Sequence, residues 1–183
     1  TIQASLRSQA DGKRSVSSSL DNINGLVIRS TTPEQFATFF LARVEAGSLR
    51  MSFSNAGHNY PVLCRKGGDH LFLERGGMLL GIFDDARFEE ESVQLFPGDR
   101  VVLYTDGITE AVNGADEEFG EERLCALVQS LPEQLSARQV SDRILDSLYE
   151  FLDGEEAQDD VTVMVLRVLE PVPAAQPLSI SLR

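Results

Sequence analysis

Apolar and polar positions follow two rhythms along the chain, and together they predict hairpins separated by blocks of helix. The run that organises the rest is Val101-Val102-Leu103-Tyr104, which stops at Thr105-Asp106-Gly107. Four apolar residues in a row, two of them β-branched, predict a buried strand launched by the Pro97-Gly98-Asp99 turn. A second junction has the mirror order: Asp159-Asp160 precedes the β-rich run Val161-Thr162-Val163-Met164-Val165-Leu166. If the two strands are antiparallel neighbours, Asp106, Asp159 and Asp160 meet on one edge of the sheet.

The remaining pattern fills in around this pair. Thr1 to Gln9 predicts a helix broken by Asp11-Gly12-Lys13, and Val16, Leu20, Ile23 and Val27 recur at helical spacing behind a capping Ser15, so a second helix should run to about Arg29. Phe36 to Val44 reads as a strand apolar on both faces, hence central. Leu49, Met51 and Phe53 alternate with Arg50, Ser52 and Ser54, a half-buried strand pairing back on it. Val62 to Arg65 forms another short strand, and Phe88 to Phe96 should make a hairpin with the organising strand. Leu124, Leu127, Val128 and Leu131 mark a helix that Pro132 ends. Ser136 and Gln139 make a capping box for the longest helix, carried by Val140, Ile144, Leu148 and Phe151. Hairpins with helices gathered in blocks, rather than strict strand-helix alternation, predict an α+β layered sandwich. Residues 1–169 form one domain on this reading, and the proline-rich 170–183 a tail or linker.

Charge narrows the function. A net charge of -13 over 183 residues argues against a nucleic-acid surface or an anionic membrane, both of which need clustered Lys and Arg. A nuclease is disfavoured for the same reason. No stretch approaches the roughly 18 apolar residues of a membrane span, and no secretory signal opens the chain, so a cytoplasmic location is expected. Cys64 and Cys125 lack metal-ligand spacing and read as reduced core fillers.

The candidate chemistry sits at the two aspartate junctions. Carboxylates within a few ångströms of one another repel, so their cluster persists only if one is protonated or a cation lies between them. Oxygen ligands without a nearby His or Cys pattern favour Mg²⁺, Mn²⁺ or Ca²⁺ over zinc. Either junction alone also fits a common Asp-Gly turn or a solvated acidic loop; the pairing is what points to metal. His58 reads as a loop histidine bonding backbone groups, and His70 as a hairpin surface residue. The glycines of Gly76 to Gly81 lack phosphate-loop spacing and are expected to let the backbone turn tightly beside another element.

Six segments in order closely resemble the stage II sporulation protein E branch of the metal-dependent protein phosphatases (PPM). They are Ser54-Asn55-Ala56-Gly57-His58, Gly76 to Gly81, Phe96-Pro97-Gly98-Asp99, Tyr104 to Glu110, Phe119-Gly120, and Asp159-Asp160-Val161-Thr162. The resemblance covers about residues 1 to 168. It implies two packed antiparallel sheets flanked by helices and an Mn²⁺- or Mg²⁺-dependent serine/threonine phosphatase with a two-metal site. The implied substrate is a phosphorylated bacterial signalling protein such as an anti-sigma-factor antagonist. Asp106 and Asp159 match metal-binding aspartates of the family, with Asp160 adjacent, and His58 matches a supporting loop. The family also carries an earlier Gly-Asp-Val-x-Gly-His-Gly type motif, and nothing before Phe36 resembles it; Asp11 and Asp21 stand in other contexts. The chain is accordingly expected to open just after that motif, to bind metal weakly and show little activity alone, and to dimerise through exposed strand edges. The alternative is a non-catalytic, phosphatase-like module that binds a partner-switch protein.

Overall fold

The computed structural model describes residues 14–32 and 34–170. The expected helix over residues 1–9 and most of the expected tail lie outside them. Helix α1, Val16–Ser30, starts where Ser15 Oγ accepts a hydrogen bond from Ser18 N, and buries Val16, Leu20, Ile23 and Val27 on one face. Two sheets follow. The first contains β1 (Phe39–Val44), β2 (Arg50–Ala56), β5 (Gly76–Gly77) and β6 (Glu91–Gln94); the second runs in the order β4-β3-β7-β8, with β3 Val62–Cys64, β4 His70–Phe72, β7 Arg100–Tyr104 and β8 Val163–Arg167. All pairs are antiparallel except β2 with β5, where Asn55 lies beside Gly76 so closely that a Cβ on Gly76 would sit 1.7 Å from the Asn55 carbonyl oxygen. The expected tight turn beside another element is therefore present.

Three apolar clusters make the layers. Leu20, Ile23 and Val27 pack with Ala56, Leu80 and Phe88 between α1 and the first sheet. Met51, Phe53, Leu63, Leu73, Leu95 and Val101 fill the space between the sheets. Val62, Cys64, Val102 and Tyr104 meet Leu124, Val128, Val140, Ile144 and Leu148 beneath helices α3 (Glu121–Ser130) and α4 (Ala137–Leu152). The result is a helix–sheet–sheet–helix sandwich, the expected α+β class. The capping box at Ser136 and Gln139 opens α4 as expected. Among the described residues no helix is long and apolar enough to cross a membrane.

Three expectations are corrected. The strand expected at Phe36 to Val44 begins at Phe39, leaves Phe36 62% exposed, and pairs only with β2 among the described strands, so it is an edge rather than a central strand. Its neighbour β2 is buried from Met51 to Ala56, including Ser52, Ser54 and Asn55, and is the central one. The β6 strand pairs with β2, not with β7, so the Pro97-Gly98-Asp99 turn carries the chain from one sheet to the other. Asp99 shapes that turn, its buried carboxylate accepting from Phe96 N and from Arg65.

Candidate metal centre

The organising strand β7 and the last strand β8 are antiparallel neighbours, with Tyr104 opposite Val163. The pairing continues past the strand ends. Thr105 N donates to Thr162 O, Thr105 Oγ1 donates to Asp160 O at 2.7 Å, and Thr162 N donates to Thr105 Oγ1 at 2.9 Å. One threonine thus laces the end of β7 to the segment that leads into β8. From there the chain turns into the short helix α2, Asp106–Thr109. Gly107 makes this possible, since a Cβ on it would lie 2.6 Å from Asp160 O and 3.0 Å from Asp159 O.

Asp106 and Asp159 consequently line one cleft of about 230 Å³, together with Gly107, Glu110, Ala111 and Gln158. Asp106 Oδ1 accepts from Gly107 N at 3.0 Å, and Asp159 Oδ1 accepts from Asp160 N at 2.7 Å. Each carboxylate is therefore oriented through one oxygen. The other has no hydrogen-bond partner among the described residues. Asp160 lends its backbone carbonyl to Thr105 and is not part of the cleft lining. Glu110, one helical turn after Asp106, does line the cleft, and sequence reasoning did not single it out; the spacing of four residues in Asp106 to Glu110 was the available signal. Among the described residues no group of three or more His, Cys, Asp or Glu side chains stands close enough to hold a cation by itself.

The donor chemistry of the cleft nevertheless fits a hard divalent cation. Asp106, Glu110 and Asp159 bring only oxygen ligands, and no Lys or Arg lines the cleft to balance them. A larger cavity of about 500 Å³ opens beside Tyr60, Glu74, Arg75, Glu89 and Glu91, but there the Arg75–Glu89 ion pair at 2.7 Å places a guanidinium among the carboxylates.

His58 belongs to the same end of the molecule. Burial pulls its pKa below the usual histidine value, while the nearby Asp106 charge pushes it back up. Its ring Nδ1 lies 3.2 Å from Thr38 Oγ1, and Asn55 holds its backbone on both sides. The expected loop histidine is thus in place, with a side chain rather than backbone groups as its ring's partner. His70 is exposed on β4 beside Gln129, as expected of a surface residue.

The Stage II sporulation protein E (SpoIIE) family model matches residues 1–169. The chain belongs to the SpoIIE family. Phosphoserine phosphatase RsbU of Bacillus subtilis is 31% identical over 157 residues, which cover 81% of this chain and 44% of that protein. Among solved structures, the SiaA-PP2C domain of Pseudomonas aeruginosa is similar with a TM-score of 0.74 at 21% identity, over 91% of this chain and 65% of that one. The phosphatase domain of SpoIIE from Bacillus subtilis, presoaked with Mn, has a TM-score of 0.63 at 17% identity, over 94% and 73%. These structural likenesses establish that the layered fold of this SpoIIE-family chain is that of PP2C phosphatase domains. The chain spans less than half the length of the curated relatives it matches.

Proposed function

We propose that this domain is a metal-dependent serine/threonine protein phosphatase acting on a phosphorylated bacterial signalling protein of the anti-sigma-factor-antagonist kind. The observation that carries the reading is the cleft between two laced strand ends, where Asp106 and Asp159 each keep one carboxylate oxygen free. Family membership and the resemblance to a phosphoserine phosphatase support it.

A phosphomonoester dianion is repelled by a cleft of carboxylates, so the site can take it only with a cation between them. Asp106 and Asp159, with Glu110 on the same lining, would hold Mn²⁺ or Mg²⁺. Such an ion supplies positive charge at the phosphoryl oxygens and makes a water more nucleophilic. The protein's own part is to fix the carboxylates. Gly107 N and Asp160 N each pin one oxygen, Thr105 keeps the two strand ends in register, and Gly107 leaves room for the backbone of Asp159 and Asp160.

The test is phosphate release from a phosphoserine peptide as a function of Mn²⁺, with Mn²⁺ binding measured separately. Asp106→Asn should weaken Mn²⁺ binding and cost about 100-fold or more in turnover, equivalent to several kcal/mol of lost charge stabilisation. A full-length protein that binds the phosphopeptide equally with and without Mn²⁺ and releases no phosphate would instead be a non-catalytic binding module.

A further inference from the structure

His58 is a further polar side chain fixed at this end of the sheet, and it does not line the carboxylate cleft. It lies in the connection from β2 to β3, residues 57–61, which passes from the first sheet to the second. In the β3–β7 pair Val62 stands opposite Val102. Antiparallel pairing sends the residues before Val62 the same way as the residues after Val102, so His58 and Asp106 emerge at one end of the sheet. The effect of the Asp106 charge on the imidazole agrees with that placement.

The backbone of His58 is held at two points and its ring at one. Asn55, only 2% exposed, donates from Nδ2 to His58 O at 2.9 Å and accepts from His58 N at Oδ1 at 2.7 Å. Thr38, on the segment leading into β1, meets ring Nδ1. A buried amide spent on fixing one loop residue, and a hydroxyl spent on its ring, orient an imidazole that would otherwise rotate. They also leave Nε2 as the ring nitrogen without a hydrogen-bond partner among the described residues. The ring is half-buried, open on one side.

We propose that His58 is a catalytic residue that gives the Nε2 proton to the oxygen leaving phosphorus. The inference rests on the phosphatase reading above. The step requires that, with the phosphoryl group against Asp106 and Asp159, the serine or threonine oxygen of the substrate faces the β2–β3 connection. A water oxygen bonds to phosphorus, and the bond from phosphorus to the side-chain oxygen breaks, leaving its electron pair on that oxygen. That oxygen takes the proton from Nε2 of the imidazolium, a form that burial opposes and the Asp106 charge favours, and whose Nδ1–H donates to Thr38. Solvent receives the proton lost by the attacking water and returns one to the imidazole. Thr38 acts through His58 and is a positioning residue.

The distinguishing property is dependence on the leaving group. An alkoxide needs a proton as it departs, whereas a nitrophenolate hardly does. Full-length protein with Mn²⁺ is assayed on a phosphoserine peptide and on 4-nitrophenyl phosphate. His58→Ala should lower kcat about 100-fold on the peptide and less than about tenfold on the aryl ester, the range expected of a lost general acid. Thr38→Val should show the same inequality at smaller size. Equal losses on both substrates, or no loss, would overturn the proposal. If His58→Ala does not fold, Thr38→Val decides on the same criterion, since it removes only a hydroxyl. Wild-type protein inactive on both substrates would overturn the phosphatase reading and this inference with it. Active wild type with losses independent of leaving group would overturn this inference alone.

Discussion

At the residue scale the site depends on one absent side chain. Gly107 lies against the backbone carbonyls of Asp159 and Asp160, and backbone cannot swing aside as the end of a long side chain can. Gly107→Ala is therefore expected to push the Asp159–Asp160 segment away from α2, destabilising the fold by about 1–3 kcal/mol, the usual cost of overpacking. Turnover should fall further than stability accounts for, because Asp159 moves relative to Asp106. Thermal melting and Mn²⁺-dependent phosphate release measured on the same variant would separate the two, and an alanine variant with normal turnover would show that the carbonyls yield. In the sequence, Asp106 and Asp159 were legible because each sits where an apolar strand meets an acid. Glu110 was not, because its approach to the cleft requires α2, a single helical turn too short to leave a periodic signal. Asp160 stands in the sequence only as the neighbour of Asp159, and the Thr105 bond to its carbonyl is a tertiary contact that no local pattern encodes.

At the element scale, the errors in reading the strands share a cause. Phe39 to Val44 is apolar on both faces because Phe39 and Leu41 pack toward α1 and Phe40 toward the inter-sheet core. That pattern reports layers above and below a strand and says nothing of its lateral neighbours, so an edge strand was read as central. In β2 the serines looked solvated, but Ser52 and Ser54 share a face with Ala56, which packs under α1, and Ser52 meets Ser92 across the strand pair at 2.9 Å. Helices were read well because their periodicity is long and their caps are local. One helix end, however, depends on a strand. Arg100 of β7, buried to 6% exposure, donates to the carbonyls of Val128 at 2.9 Å, Leu131 at 3.2 Å and Pro132 at 2.5 Å, closing the C-terminus of α3 against the sheet. Arg100→Met keeps the aliphatic packing and removes the donors. It should lower stability by about 2–3 kcal/mol, the order of a lost charged hydrogen bond that leaves buried carbonyls unmatched. A lower urea midpoint at unchanged slope would confirm it, and an unchanged midpoint would mean that water replaces the guanidinium.

At the scale of the whole molecule, the four layers separate the carboxylate cleft, at the end of the sheets, from the core that carries the titratable thiols. Cys64 on β3 and Cys125 on α3 are both buried in the cluster between the second sheet and its helices. Burial pushes the Cys64 pKa up to about 12 and the Cys125 pKa up to about 11, and burial also raises the phenol of Tyr104 in the same cluster. An unfolded chain loses its thiol protons near pH 8.5, so above that pH the unfolded state binds fewer protons than the folded one, and stability must fall as pH rises. Each thiol contributes a loss of up to about 1.4 kcal/mol per pH unit until its folded pKa is reached. Melting temperature is therefore expected to decline from about pH 8.5 to about pH 11, and to decline less steeply in the Cys64→Ala, Cys125→Ala double variant, even though that variant starts from a lower stability because of its cavities. Folded protein at pH 8 should also leave both thiols unreacted toward an aromatic disulfide reagent, with reaction following global unfolding, because both are buried in one cluster shared by a sheet and two helices. Parallel pH slopes in the two proteins, or rapid labelling of the folded chain, would show that this layer opens independently of the rest.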